Sequence, residues 1–167
     1  CDWSSDVCSS DLFEQYHARV PFVRQLSQRC SQSVSDKGWI KTLLGRKRHF
    51  NLWEPADSQN TWPNRENPLP LDQAQKVWGG RPLRRSMIHK SLNALIQGGS
   101  ADMTKKAMLD LYKEGELAHI QVHDELCFSV KDRKHGEKIK QIMEDCVKIN
   151  VPIKVDLEMG PTWGDSK

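Results

Sequence analysis

From Ile120 to Val130 the chain alternates: Ile120 and Val122 between polar neighbours, then Leu126, Phe128 and Val130, with His123-Asp124-Glu125 between the two runs. Apolar residues at every second position turn one face of an extended strand toward a core and the other toward water. Two such runs around a polar triplet predict a β-hairpin with the triplet at its bend. A tight bend exposes its side chains while the flanking strands fix them, so a carboxylate placed there can hold a metal ion firmly. Asp is also a common turn residue, because its side chain bonds nearby backbone. On the triplet alone, a purely structural hairpin is the commoner reading.

At 167 residues, with 37% hydrophobic and 28% charged residues, the chain can bury a core and is not of disordered composition. No apolar run approaches membrane-spanning length and no secretory signal opens the chain, so no membrane partner is expected. A net charge of +3 names no partner, but the basic residues cluster at Lys41 to Arg48, at Arg81 to Arg85 with Lys90, and at Lys131 to Lys140. Such clusters are usually solvated faces and also suit a phosphate backbone. Five cysteines without a Cys-x-x-Cys pair or zinc-ligand spacing point to reduced thiols and a cytoplasmic setting.

Asp2 to Leu12 has no helical or strand period and matches, in one reading frame, the translation of a common sequencing-library adapter. Residues 1–12 are therefore expected to be non-native, with the native sequence starting near Phe13 and extending upstream. Across 13–38, Phe13, Tyr16, Val20, Val23, Leu26, Cys30 and Val34 recur at helical steps; Pro21 opens a second helix and Gly38 ends it. Residues 39–50 predict a cationic hairpin turning near Gly45. Residues 52–81, with four prolines and Trp53, Trp62 and Trp78, predict a long loop with one short helix near Gln73 to Val77. Residues 84–114 predict helices, with Ile88, Leu92 and Leu95 on one face, His89, Asn93 and Gln97 on another, and a break at Gly98-Gly99. The hairpin is expected over 118–130, a further helix over 133–149, and a closing strand with a tail over 151–167. The order predicts an α+β fold, an antiparallel sheet with helices on one face.

Three segments in order resemble DNA polymerases of family A, the relatives of bacterial DNA polymerase I. Thr42-Leu43-Leu44-Gly45-Arg46-Lys47-Arg48 resembles the hairpin after the family's post-fingers helices. Asn93-Ala94-Leu95-Ile96-Gln97-Gly98-Gly99-Ser100-Ala101-Asp102 is similar to its Asn-x-x-x-Gln-Gly-x-x-Ala-Asp helix. Gln121-Val122-His123-Asp124-Glu125 resembles its catalytic motif C, and Met159-Gly160-Pro161-Thr162-Trp163 its C-terminal end. The resemblance covers nearly all of the chain past Leu12 except 52–81, and implies part of a polymerase palm with flanking helices.

What the resemblance implies is template-directed nucleotidyl transfer with two Mg2+ ions, on primer-template DNA and an incoming dNTP, with a processivity partner left unidentified. Such chemistry needs hard carboxylate oxygens converging from separate elements. Asp124 is the expected metal ligand, Glu125 an auxiliary, and His123 a neighbour of the primer end, a turn role for His123 standing beside that one. Consecutive strand side chains point oppositely, so Asp124 and Glu125 are not expected to share a face. Asn93 and Gln97 are assigned to the minor groove, where purine N3 and pyrimidine O2 accept from every base pair. Thr42, Arg46 and Arg48 are assigned to the DNA backbone. Bacterial members carry Arg where His89 stands; some phage members have His-Lys, so His89-Lys90 implies a phage source. The family's motif A Asp and its nucleotide-binding fingers helix are absent and expected upstream, so the chain alone is expected not to polymerise. Two rivals stand beside this reading: a metal-dependent hydrolase using His119, His123 and Asp124, and a non-catalytic DNA-binding module using the basic hairpin and helix.

Overall fold

A prolyl ring fixes φ near the helical value and needs no N–H partner in a first turn, while a glycine reaches the left-handed region that closes a last one. A computed structural model of the chain, describing residues 5–57 and 67–166, uses both at one helix. Following α1 (Ser5–Arg19), α2 (Pro21–Lys37) starts on Pro21 and ends at Gly38, φ 78°, whose N–H bonds the Val34 carbonyl at 2.8 Å. Residues 5–12, part of the aperiodic segment expected to be non-native, form the first turns of α1. Once a helix exists, each added residue gains a bond without a new nucleus, so amphipathic spacing is not required.

Two compact units make up the chain, Cys1–Ile96 and Gln97–Lys167. In the first, β1 (Trp39–Lys41) and β2 (Lys47–His49) form an antiparallel hairpin, with Trp39 opposite His49 and Lys41 opposite Lys47. Cys30, Val34, Ile40 and Phe50 form its buried core, against which Met87, Ile88, Leu92, Ala94 and Leu95 pack. Stripping water from such apolar surface is what stabilises the unit.

The expected loop over 52–81 is corrected. Leu52–Pro55 is strand β3, the centre of a three-stranded antiparallel sheet between β4 (Leu69–Pro70) and β5 (Leu83–Arg85). Trp53 pairs with both Leu69 and Arg85, partners too far along the chain for a local pattern to announce. The short helix is present as α3 (Leu71–Val77); Trp62 lies outside the described residues. Glu54, 5% exposed, accepts from Arg84 Nε at 3.1 Å and Ser86 Oγ at 2.8 Å, which satisfies a carboxylate otherwise costly to bury.

The expected helix from Arg84 is also corrected. After β5 comes a turn with Met87 at φ 59°, a 3-10 turn (Ile88–Lys90), and then α4 (Ser91–Lys113), which runs unbroken through Gly98-Gly99. Each glycine costs about 1 kcal/mol against Ala, too little to interrupt a helix that is packed on both sides of the pair.

In the second unit, α4 leads through a loop to β6 (Ile120–Val122), β7 (Glu125–Cys127) and α5 (Arg133–Asp145), capped by the Asp132 carboxylate on the His135 N–H at 2.8 Å. The hairpin is shorter than the alternation suggests, and Ile120 is 45% exposed rather than half-buried. The expected closing strand does not form: among the described residues 151–157 carry no strand pairing. Ile153, Val155 and Leu157 are nevertheless half-buried at every second position. Val155 N–H bonds Glu144 Oε1 at 2.9 Å, so a side chain stands in for a neighbouring strand. The fold is α+β with antiparallel pairing, divided, among the described residues, into three small sheets. No helix among the described residues is long and apolar enough to cross a membrane.

Candidate functional site

Val122 pairs with Glu125, leaving His123-Asp124 as the turn between β6 and β7. A two-residue hairpin turn needs left-handed backbone, ordinarily supplied by Gly, Asn or Asp. Here His123 adopts it, at φ 53°. An L-residue held in that region by its surroundings is a common mark of a functional site. Gln121 Nε2 donates to the His123 carbonyl at 3.2 Å, fixing the peptide that joins His123 to Asp124. His123, Asp124 and Glu125 are all exposed.

Asp124 thus displays hard oxygen donors of the kind that suits Mg2+. Among the described residues, no group of three or more His, Cys, Asp or Glu side chains is assembled to hold a metal. Asp124 fits such an ion in donor type but supplies only part of a ligand set. His119 and His123 do not join Asp124 in a three-ligand cluster, so the hydrolase geometry is not found there.

In the first unit the β1–β2 turn is closed from within. Thr42 N–H bonds the Arg46 carbonyl at 2.8 Å, and Thr42 Oγ1 accepts the Arg46 N–H at 3.1 Å. Thr42 is 5% exposed and shapes the turn through its bonds to Arg46. Arg46, Lys47 and Arg48 are exposed. Lys47 Nζ lies 4.4 Å from the Trp39 ring centroid and Lys37 Nζ 5.7 Å from it, cation–π contacts that hold the cationic face in shape.

Asn93 and Gln97 are exposed one turn apart on α4. His89 and Lys90 are exposed as well, but in the 3-10 turn, so the four-residue phase joins only Asn93 and Gln97. Several members of the other basic clusters have internal partners. Arg81 pairs with Asp57 at 2.8 Å and Arg84 with Glu54 at 3.1 Å. Arg85 stacks on Trp53, 4.5 Å from the centroid, and donates to the Phe50 carbonyl at 3.0 Å. Near α5, Arg133, Lys138 and Lys140 meet Glu137, Glu114 and Glu144. Sequence reasoning missed Gln121 and Arg85. The residue spacing of Gln121 from the bend was a usable signal; Arg85 left none, because its partners come from other elements.

The family model described as DNA polymerase family A matches residues 5–165. The chain is 36% identical over 155 residues to a DNA-directed DNA polymerase of Pseudomonas phage M6, covering 93% of this chain and 19% of that protein. It is 41% identical over 165 residues to DNA polymerase I of Bacillus subtilis, covering 93% of this chain and 16% of the relative. The chain thus spans less than a fifth of the length of these relatives. Among solved structures, the POL domain of Pol1 from M. smegmatis, in complex with DNA primer-template and dNTP, is similar in fold. Its TM-score is 0.65 at 24% identity, over 92% of this chain and 25% of that one.

Proposed function

The chain belongs to DNA polymerase family A, and from that premise we propose that it is the C-terminal part of a DNA-directed DNA polymerase, phage-encoded and acting in its host's cytoplasm. The reaction is template-directed nucleotidyl transfer from a dNTP to a primer 3′-hydroxyl. The observation that carries this reading is Asp124 exposed in a two-residue turn beside the left-handed His123.

Asp124 would hold Mg2+, with Glu125 next to it, and the remaining ligands would come from outside this chain. When bound, such ions stabilise charge on the transferring phosphoryl group and raise the nucleophilicity of the attacking hydroxyl. The chain's own residues do the positioning. Gln121 fixes the His123 peptide, and the tip holds the Asp124 carboxylate at one height above the ladder. Asn93 and Gln97 donate to minor-groove acceptors common to all base pairs, so they read pairing and not sequence. Lys90, Arg46 and Arg48 meet phosphates, an affinity that falls as salt rises; His89 stands beside Lys90 in that role.

The test uses the full-length polymerase. Asp124→Ala should lower incorporation at least about a thousandfold, as expected for losing a metal clamp at a developing charge. Primer-template affinity should stay within a factor of about two, because the phosphate contacts that dominate it remain in place. Retained incorporation in Asp124→Ala, or measurable incorporation by the isolated 167-residue chain, would refute the reading.

A further inference from the structure

We propose that His135 is a positioning residue for the hairpin that carries Asp124: its imidazole ties the segment leading into the hairpin to the segment leaving it. The consequence for activity rests on the polymerase reading above, whereas the tie itself does not.

The hairpin needs such a tie. Its ladder has three residue pairs, Ile120 with Cys127, Gln121 with Leu126 and Val122 with Glu125, extended by the His119 N–H on the Cys127 carbonyl at 2.9 Å. A two-stranded ribbon so short is marginal in water. The left-handed backbone of His123 and the 45% exposure of Ile120 weaken it further. Something beyond the ladder has to hold the base of the hairpin.

His135 lies in the first turn of α5, and its imidazole bonds on both sides. Nδ1 accepts the Lys131 N–H at 3.3 Å, just after β7. Nε2 donates to Glu116 Oε1 at 3.0 Å, just before β6. Glu116 is itself anchored to α4, its N–H bonding the carbonyl of Leu111 at 2.9 Å, and Leu111 is 1% exposed. The path from α4 through Glu116, His135 and Lys131 therefore closes the hairpin at the end opposite Asp124.

The ring cannot drift. The Asp132 carboxylate holds the His135 backbone N–H, and the adjoining Gly136 is buried so closely that a Cβ there would meet Leu157 Cδ2 at 3.3 Å. The side chains of His135 and Glu116 are each 20% exposed, which shields their bond from the solvent screening that weakens surface pairs. An acceptor at Nδ1 and a donor at Nε2 together require the neutral tautomer protonated at Nε2. A helix-surface histidine satisfied by solvent would carry no such requirement.

Two measurements test the inference. In the 15N-labelled chain, long-range 1H–15N spectra should show His135 as the Nε2–H tautomer, and His135→Leu should speed amide exchange across residues 120–127. In the full-length polymerase, His135→Leu and Glu116→Leu should each lower kcat about ten- to a hundredfold, the cost of a small misplacement at a reacting centre. The KM for dNTP and the primer-template Kd should hardly move. Glu116→Gln, whose amide oxygen still accepts from Nε2, should restore most of kcat. If His135→Leu does not fold, the Glu116 pair of variants decides. Unchanged kcat in Glu116→Leu, or Glu116→Gln no better than Glu116→Leu, overturns the proposal, as does an Nδ1–H tautomer. Absence of incorporation by the unmodified full-length protein would instead sink the polymerase reading, while tautomer and amide exchange still decide the tie.

Discussion

Replacing Gly38 by Ala should destabilise the chain by about 2–4 kcal/mol, through two separable causes. The first is backbone: Gly38 closes α2 at φ 78° and ψ 10°, where an L-residue costs about 1–2 kcal/mol. The second is space, since an added Cβ would sit 2.8 Å from Arg85 Cζ and 2.9 Å from both terminal nitrogens. The guanidinium would have to leave the Trp53 face, 4.5 Å away, and its 3.0 Å bond to the Phe50 carbonyl. Partial loss of a cation–π contact and a charged hydrogen bond adds about 1–2 kcal/mol. A double-mutant cycle in urea separates the two. In an Arg85→Met background, Gly38→Ala should cost only the backbone part, leaving a coupling of about 1–2 kcal/mol. Equal costs in both backgrounds would refute the account. Phe50 N–H also bonds the Gly38 carbonyl at 2.9 Å, so the same variant should loosen the base of the basic β1–β2 hairpin.

Gly99→Ala should do the reverse. Gly99 lies inside α4 and a Cβ there meets nothing within 4 Å, so the chain should gain about 0.5–1 kcal/mol, read as a higher urea midpoint. A lower midpoint would contradict the open geometry. Burial pushes the Cys30 thiol above its ordinary pKa, so the folded state holds its proton longer than the unfolded one. That contribution is fully present below the unfolded thiol value of about 8.5 and is lost as pH rises beyond it. The urea midpoint should therefore decline above that pH, and Cys30→Ala should flatten the decline; an identical slope in the variant would refute the assignment.

Features written in neighbouring residues were legible beforehand: the bend at His123-Asp124, the start of α2 at Pro21 and its end at Gly38, the turn near Gly45, and the shared exposure of Asn93 and Gln97. What stayed hidden depends on residues far apart. β3 is only four residues long, and its partners β4 and β5 lie on the far side of a proline-rich stretch, so no period marked it. The Arg81 to Arg85 cluster reads as a phosphate surface until Glu54 and Trp53 of β3, and Asp57 from the turn after it, pair with it. Thr42 belongs to a DNA-contacting motif by resemblance, and its hydroxyl also accepts the Arg46 N–H. Its burial gives it a part in the geometry of the turn that residue spacing does not reveal.

That part in the geometry bears on how a site of the proposed kind is built. The residues that touch a substrate must be exposed, and an exposed side chain has few neighbours to hold it still. Asp124 is held through its own segment: a turn kept left-handed at His123, a carbonyl bonded by the Gln121 side chain, and a ladder of three pairs whose base the His135 bridge closes. Arg46 and Arg48 flank Lys47 beside the turn that Thr42 closes, with Lys47 covering the Trp39 face and the Arg48 guanidinium 6.0 Å from the Phe50 ring centroid. On the function proposed above, the geometry of both hairpins rests on neighbouring groups whose own partners are internal. Substituting Gln121 or Thr42 should therefore harm function through geometry while leaving every contacting side chain in place, which is why a list of contacting residues underestimates what such a site requires.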